Sequence, residues 1–294
     1  MVQVTSHPQA ARSGKPRPFP IRVELVRQLR RRRTLVAYLL VVALPIIVVA
    51  AVKFGPSSSD AGAGRGRFGG GSADLVGLAT QGAANFTVTM LLFASGFLLT
   101  VIVALFCGDT VASEASWSTL RYLLAAPVPR RRLLTVKLVV ALLLTAGSLV
   151  ILVLISLLLG TVFFGSGPLS GPTGGAYSAA DSLGRVALIC GYVFVSLLFP
   201  AGIAFLMTVL TDVPLGAVGA AVVITIVSGI LDAITALGSL RDWLPTHYSN
   251  AWVGALAPTI DVSGMARGFA YATISFAVLI AVAYWRFDRK DIVS

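Results

Sequence analysis

Side chains that could perform enzyme chemistry are few in this sequence. Charged residues make up 12% of the 294 positions, and there are two histidines, His7 and His247. A membrane enzyme acting on lipid would need His, Asp, Glu or Ser groups clustered near one interface, and the candidates are His247, Asp242 and Asp261. Their spacing matches no set of nucleophile, base and orienting group. We therefore predict no catalytic residue and keep a lipid enzyme as an alternative.

Metal and phosphate chemistry is not indicated either. Cys107 and Cys190 fall within or at the ends of apolar segments and form no Cys-x-x-Cys pair, so we expect small buried side chains rather than a disulfide or zinc site. The glycine-rich run 62–71 is not followed by Lys-Ser or Lys-Thr and is therefore no phosphate-binding loop. We predict no metal and no cofactor bound to this chain.

The strongest functional pattern is a charged segment, 109–137, between two apolar runs. A helix is predicted from Glu114 to Leu124, and Pro127 and Pro129 end it. A short helix across a membrane face can fit a groove on a soluble partner and pass rigid-body motion to the flanking helices. In that case Trp117, Leu120 and Tyr122 would supply apolar contact area for the partner. The alternative is a solvated basic loop that only sets the topology.

The elements that position this segment are membrane helices. Hydrophobic residues make up 56% of the chain and the mean hydropathy is +0.89, whereas soluble domains carry about 25% charged residues. Each apolar stretch is close to or above the ~20 residues that cross a bilayer as a helix. We predict an all-α integral membrane protein. The six predicted transmembrane helices are 34–53, 84–107, 137–164, 183–210, 215–236 and 267–285.

The net charge of +11 indicates orientation rather than nucleic-acid binding, because the basic residues flank the apolar stretches. Of the 23 Lys and Arg residues, 17 fall on one side of the predicted topology. The positive-inside rule then places both termini in the cytoplasm. The composition, rich in Ala, Gly, Val and Arg, is typical of GC-rich bacterial genomes. We therefore expect a multi-pass protein of the bacterial inner membrane, with the lipid bilayer and no nucleic acid as partner.

The six spans form a membrane domain, 34–285, and the regions outside the spans have distinct characters. Residues 1–20 are polar and proline-rich, which predicts a disordered tail. Residues 21–33 place Ile21, Leu25, Val26 and Leu29 at helical spacing among arginines, which predicts an amphipathic interfacial helix. We find no cleavable signal peptide. The remaining assignments are a cytoplasmic connection 109–136, an aromatic outer loop 237–266 and a cytoplasmic tail 286–294.

Residues 114–137 resemble the ABC-2 type transporter permeases. That family has a Glu, then Gly-Thr-Leu, a Leu-Leu pair, Pro-Val-Ser-Arg and a later Lys, placed between the second and third of six membrane helices. Two departures are Ser118, where Gly is usual, and Pro129, where Ser is usual. The matching residues here are Glu114, Thr119, Leu120, Leu123, Leu124, Pro127, Val128, Arg130 and Lys137.

The resemblance implies the permease subunit of an ATP-driven transporter, usually an exporter. Two permease copies, as a homodimer or a heterodimer with a related permease, would work with two copies of an ATP-binding subunit that holds ATP and Mg. The pathway would lie between the permeases, lined by the second and fifth helices. An ATP-independent carrier remains a further alternative. The residues implied in docking the ATPase are Asp109, Glu114, Trp117, Thr119, Leu120, Pro127 and Arg130.

Overall fold

The computed structural model describes residues 21–54, 77, 79–112, 130–169, 177–211 and 213–289, and within these ranges the chain forms helices and turns without a strand. Two 3-10 helices, Thr235–Trp243 and Ala251–Leu256, connect the last two long helices. The α-helices are α1 (Ile21–Leu29), α2 (Arg32–Phe54), α3 (Ala83–Gly108), α4 (Arg130–Phe164), α5 (Ala179–Leu210), α6 (Pro214–Ala233) and α7 (Ser263–Asp288).

Helices α2 to α7 are long and apolar enough to cross a bilayer. Their most apolar windows have mean hydropathies from 1.7 to 3.0, and a helix satisfies its own backbone groups in lipid. Large apolar side chains point away from the bundle, among them Leu39, Leu154 and Val278. Such a surface suits a lipid solvent rather than water. The prediction of an all-helical, multi-pass membrane protein with six spans is therefore confirmed.

The two ends of the bundle differ in character. At the first, which we call the basic end, α2 and α4 begin and α3 and α7 end, with Arg31 contacting Asp109 and Arg131 contacting Asp288. At the opposite end, which we call the loop end, the connection 234–262 joins α6 to α7. The bundle therefore gathers much of its charge at one end and its longest described connection at the other.

Helix α5 lies at the centre of half of the bundle. Its second part packs against α3, α6 and α7, while α4 packs against α2 and α3. The residues at these contacts include Leu99 and Val103 of α3 and Ala204 and Phe205 of α5, all fully buried. Close packing of this kind makes the helices move as bodies rather than deform.

Two spans depart from regular α-helix at the same depth. Helix α3 contains a π turn at Ala94–Leu98, and α5 has a turn at Leu197, before Pro200. A π turn and a proline both disturb the helical hydrogen-bond pattern, and such irregularities are frequent at functional sites. Ser95 and Pro200 line one cavity, described below. The irregular backbone is therefore concentrated around a space inside the bundle.

A glycine allows α3 and α4 to approach closely at the loop end. A β-carbon added to Gly160 of α4 would lie 2.7 Å from the α-carbon of Ala83 at the start of α3. That atom belongs to the backbone, so no side chain can rotate to make room. By contrast, a β-carbon added to Gly191 of α5 would meet nothing within 4 Å.

We expect Gly160→Ala to destabilise the fold by about 1–3 kcal/mol, the usual cost of overpacking a tight interface. The measurement is the free energy of unfolding, or the thermal midpoint, of the purified protein in detergent. Gly191→Ala is the matched control and should leave the midpoint unchanged or slightly raised, because alanine favours helix more than glycine does. Equal stability of the two variants would contradict the close approach of α3 and α4.

Candidate functional site

The residues predicted to dock a partner lie on a segment of which the structure describes both ends. Asp109 lies at the end of α3, and Arg130 begins α4. The side chain of Arg130 lies outside the described residues. The same holds for Glu114, Trp117, Thr119, Leu120 and Pro127. The two ends of the segment are attached to the bundle by buried polar contacts.

The first attachment is an ion pair between Asp109 and the junction of α1 and α2. The Asp109 side chain is buried and accepts hydrogen bonds from Arg31, at 3.0 Å, and from Arg33. Arg31 and Arg33 flank the start of α2, so the arginine-rich end of the 21–33 region contacts the end of α3. A charge-assisted pair of this kind is stronger than a neutral hydrogen bond. It ties the start of the segment to the amino end of α2.

The second attachment comes from a hydroxyl in α5. Thr208, which is 1% exposed, accepts hydrogen bonds from the backbone N–H groups of Val111 and Ala112 at 3.2 and 2.9 Å. These N–H groups lie just beyond the end of α3. A polar atom inside an apolar helix is costly unless it is paired. Here the pairing fixes the direction in which the chain leaves α3.

The third attachment joins the two ends of the segment directly. Lys137 of α4 is 1% exposed, and its Nζ donates a hydrogen bond to the backbone carbonyl of Thr110 at 2.8 Å. A lysine is rarely buried so completely without an anionic group nearby. Burial of the Lys137 charge therefore requires a negative charge from another residue of the site.

Helix α1 supplies that compensation. Glu24 is 1% exposed and accepts hydrogen bonds from Arg27 and Gln28, each at 2.9 Å. Burial alone raises the pKa of the Glu24 carboxyl, but the charge of Lys137 and the bonds from Gln28 and Arg27 outweigh it and bring the pKa below its usual value. Glu24 is therefore held as an anion beside the lysine.

For the buried carboxylate of Asp109, the effects on the pKa balance in the opposite direction. Burial raises the pKa of Asp109 above its usual value, although the nearby Arg33 and Arg31 oppose the change. Burial also lowers the pKa of Arg31, with the charge of Arg33 acting in the same direction. We call Glu24, Arg31, Arg33, Asp109 and Lys137 the ionic cluster. It holds no pairing of a nucleophile with a base, and its geometry suits attachment rather than catalysis.

The face that α1 turns to the bundle is polar. Glu24 and Gln28 are buried, whereas Ile21, Val26 and Leu29 are exposed. The helix packs against α4 through its polar face. Of the apolar residues that define the amphipathic pattern, Leu25 therefore packs against the core and the other three face away from the protein.

Sequence patterns predict little of the ionic cluster. Lys137 is indicated only by the family resemblance, and Arg31 and Arg33 only by the charge distribution that sets the topology. No pattern in our sequence analysis indicates Glu24 or Thr208. A usable signal existed for Glu24, because it is the acidic residue of an arginine-rich helix and lies one turn before Gln28, on the same face.

At the loop end the structure brings two of the three enzyme candidates together. The two ring nitrogens of His247 contact Asp232, at 2.5 Å, and Asp242, at 3.4 Å. Asp261, the third candidate, instead accepts hydrogen bonds from the backbone N–H and the hydroxyl of Ser263. The groups around His247 link the end of α6 to the following loop.

Comparison with known proteins gives a family but no activity. No curated protein matches the sequence. A family model described as a protein of unknown function, DUF2705, matches residues 73–293. This region begins after α2 and runs beyond the end of α7, so it includes five of the six spans and the whole of the connection between α3 and α4. The chain belongs to the DUF2705 family.

Proposed function

We propose that this chain is the permease subunit of an ATP-driven transporter, in the exporting direction, with the ATPase on a separate chain. The ATP-binding subunit docks on residues 109–130. The observation that carries the proposal is the attachment of this segment at both ends. Asp109 is paired with Arg31 and Arg33 at one end, and Lys137 joins the other end to Thr110.

A coupling segment transmits force only if its ends do not fray. Removing one partner of a buried ion pair costs about 3–5 kcal/mol, so the ionic cluster resists local opening at both ends of the segment. Because Asp109 ends α3 and Lys137 lies in α4, displacement of the segment moves two spans. Glu24 and Arg31 add α1 and α2 to the same body. Motion of a docked ATPase is then converted into rigid-body motion of the permease.

The proposal fixes the orientation of the chain. The basic end faces the cytoplasm of a bacterial cell, in agreement with the distribution of Lys and Arg, and both termini lie on that side. Helix α1 then lies at the inner surface of the membrane. Its exposed Ile21, Val26 and Leu29 enter the lipid interface while Glu24 stays on the bundle.

A second permease copy covers the outer faces of α3 and α6. Phe97 of α3 is 58% exposed, and Val223 and Ile230 of α6 are exposed to a similar degree. The small residues Ala217 and Ala221 face the bundle instead, where they allow α6 to pack closely. The pathway lies between the copies, and a cavity between α3, α5 and α6 opens towards it.

The first test is co-purification of the chain with the products of adjacent reading frames, followed by an ATPase assay of the complex in nanodiscs. Glu114→Lys reverses a charge at the proposed docking surface. We expect this variant to lose association with the ATP-binding subunit while its thermal midpoint stays unchanged, because like charges across an interface cost several kcal/mol.

Asp291→Lys is the control, since it makes the same charge change in the tail on the same side of the membrane. It should assemble normally. If Glu114→Lys assembles and transports like the control, residues 109–130 are not the docking site. If the wild-type chain purifies alone and no ATP-binding chain accompanies it, the carrier and the lipid-enzyme alternatives replace this proposal.

A further inference from the structure

A cavity of about 720 Å³ lies between α3, α5 and α6. It extends from the π turn of α3, at Ser95, to residues 245–250 of the connection that follows α6. Ser196 of α5 and Thr225 of α6 form two further walls. A volume of this size falls within the usual range for small-molecule sites. The chemistry of its lining decides which molecule it fits.

Three hydroxyl groups of the lining are oriented as acceptors. A hydroxyl has one donor proton and two acceptor lone pairs. Ser95, Ser196 and Thr225 each give that proton to a backbone carbonyl of their own helix, at 3.1, 2.8 and 2.8 Å. What these groups offer to the cavity is therefore lone pairs. A bound molecule satisfies them best by donating N–H or O–H groups.

One carboxylate adds a negative charge to these acceptors. Asp232 lines the cavity near the end of α6, and among the described residues of the lining none is Lys, Arg or His. Two residues outside the lining contact the same oxygen of Asp232: the Nδ1 of His247 lies 2.5 Å from Oδ1, and the Nε of Arg241 lies 3.6 Å from it. Because both contacts are made to one oxygen, we assign the second oxygen of Asp232, Oδ2, to a ligand in the cavity.

The remaining lining is apolar and aromatic. Phe97 and Ile230 are largely exposed, so this side of the cavity opens towards lipid or a neighbouring subunit. Phe199 adds a second aromatic ring from α5. Aromatic faces attract cations as well as apolar groups. The lining thus combines an apolar entrance, hydrogen-bond acceptors and one negative charge.

We propose that this cavity binds an amphipathic organic cation with N–H donors, an alkyl or aryl amine or guanidine. Its charged nitrogen contacts Asp232 and its apolar part lies against Phe97 and Phe199. Anionic amphiphiles should bind more weakly, because the Asp232 carboxylate repels them. Binding itself requires no ATPase. That the bound cation is also the transported substrate rests on the function proposed above.

The test uses two probes with the same dansyl group and linker, the charged monodansylcadaverine and its uncharged N-acetyl derivative. Dansyl fluorescence is titrated with the purified chain in nanodiscs of zwitterionic phosphatidylcholine, and the signal of empty nanodiscs is subtracted. We expect the amine to bind about tenfold more tightly than the acetylated probe, the scale of one charge-assisted hydrogen bond. Equal affinity for the two probes would overturn the proposal.

Variants then locate the site. Asp232→Asn should weaken binding of the amine about tenfold, whereas Asp242→Asn, which removes the same charge outside the cavity lining, should leave it unchanged. Thr225→Val removes one acceptor without touching the ion pairs and should weaken the amine about threefold. If Asp232→Asn and Thr225→Val both bind like the wild type, or if Asp242→Asn loses as much as Asp232→Asn, the cavity is not the site.

The outcome separates this proposal from the proposed function. Amine binding in a chain that has no ATPase partner would leave the cavity proposal standing and remove the ATP-driven transporter. Conversely, a complex that hydrolyses ATP while the chain fails to discriminate between the two probes would keep the transporter and reject the cation site. Stimulation of that ATPase by the amine, lost in Asp232→Asn, would join the two.

Discussion

Replacement of Lys137 by Met is expected to destabilise the protein by about 3–5 kcal/mol, the usual result of leaving a buried charge without its compensation, here the Glu24 carboxylate whose pKa Lys137 lowers. Methionine has nearly the shape of lysine without its charge. The Lys137 side chain is 1% exposed and donates to the carbonyl of Thr110. Its loss leaves that carbonyl without the donor and Glu24 without the charge that lowers its pKa. The free energy of unfolding in detergent measures the effect.

Two controls separate this effect from a general response to the loss of a lysine. Lys53→Met removes an exposed lysine near the ring of Phe164, 5.3 Å from its centroid, and should change stability by less than about 1 kcal/mol. In the double variant Glu24→Gln with Lys137→Met, the buried anion is removed together with its cation. We expect the double variant to recover part of the loss, as a double-mutant cycle requires of coupled groups.

The same variant also tests the functional role of the ionic cluster. If the cluster couples the segment to the spans, Lys137→Met should lower ATP-driven transport more than it lowers binding of the ATPase. A loss of about 1 kcal/mol or less in stability, with the double variant no better than the single one, would show that Lys137 and Glu24 do not interact.

The spans could be predicted from sequence because their signal is local. A run of about 20 apolar residues needs no knowledge of its neighbours to be assigned to a bilayer. The observed helices are longer than several of the apolar stretches: α4 begins at Arg130 rather than at Lys137, and α7 runs from Ser263 to Asp288. Long basic side chains can extend from a helix end to the interface, so hydropathy alone places these ends too far inside.

The ionic cluster could not be predicted in the same way. Its members come from α1, α2, α3 and α4, and no spacing in the sequence brings Glu24 near Lys137. Charges beside an apolar run are ordinarily solvated, so Arg31 and Arg33 indicate only topology when the sequence is considered alone. The orientation of α1 shows the same difficulty. Most of its apolar residues are exposed and its Glu24 is buried, because the charged neighbour on α4 favours the polar face turning inwards.

The pairing of His247 with Asp232 has a similar explanation. The contact closes only because the chain turns through a 3-10 helix, Thr235–Trp243, after α6. Gly238 there has φ of +54°, a backbone conformation that side-chain-bearing residues seldom adopt. Hydropathy and periodicity give no information on such a turn, so the carboxylates on both sides of the imidazole could not be anticipated.

Arg185→Met is the second change expected to have a large effect. The Arg185 guanidinium is buried and donates to the carbonyls of Ala255, Ala257 and Pro258 at 2.5, 2.7 and 3.3 Å, while it stacks on the ring of Tyr177. Each hydrogen bond to a charged group contributes about 1.5–3 kcal/mol. Without the guanidinium these carbonyls lose their donor, and the connection from α6 to α7 loses its anchor on α5.

We expect Arg185→Met to loosen the connection between α6 and α7 before it lowers the stability of the whole protein. In Arg185→Met, amide hydrogen exchange should rise in residues 251–258 and in the adjoining 245–250, four of which line the cavity, while the amides of α3 and α4 stay protected. Binding of monodansylcadaverine should weaken in the same variant. Arg267→Met, an exposed arginine at the start of α7, is the matched control and should exchange like the wild type.

Arg185→Lys distinguishes shape from charge. A single ammonium keeps the positive charge, but it lacks the planar fork that reaches several acceptors and stacks on a ring. We therefore expect exchange in 251–258 to lie between that of the wild type and that of Arg185→Met. If the lysine variant restores full protection, charge alone holds the connection. If neither variant changes exchange there, the connection is held by other contacts, such as the bond from the Tyr192 hydroxyl to the carbonyl of Tyr248.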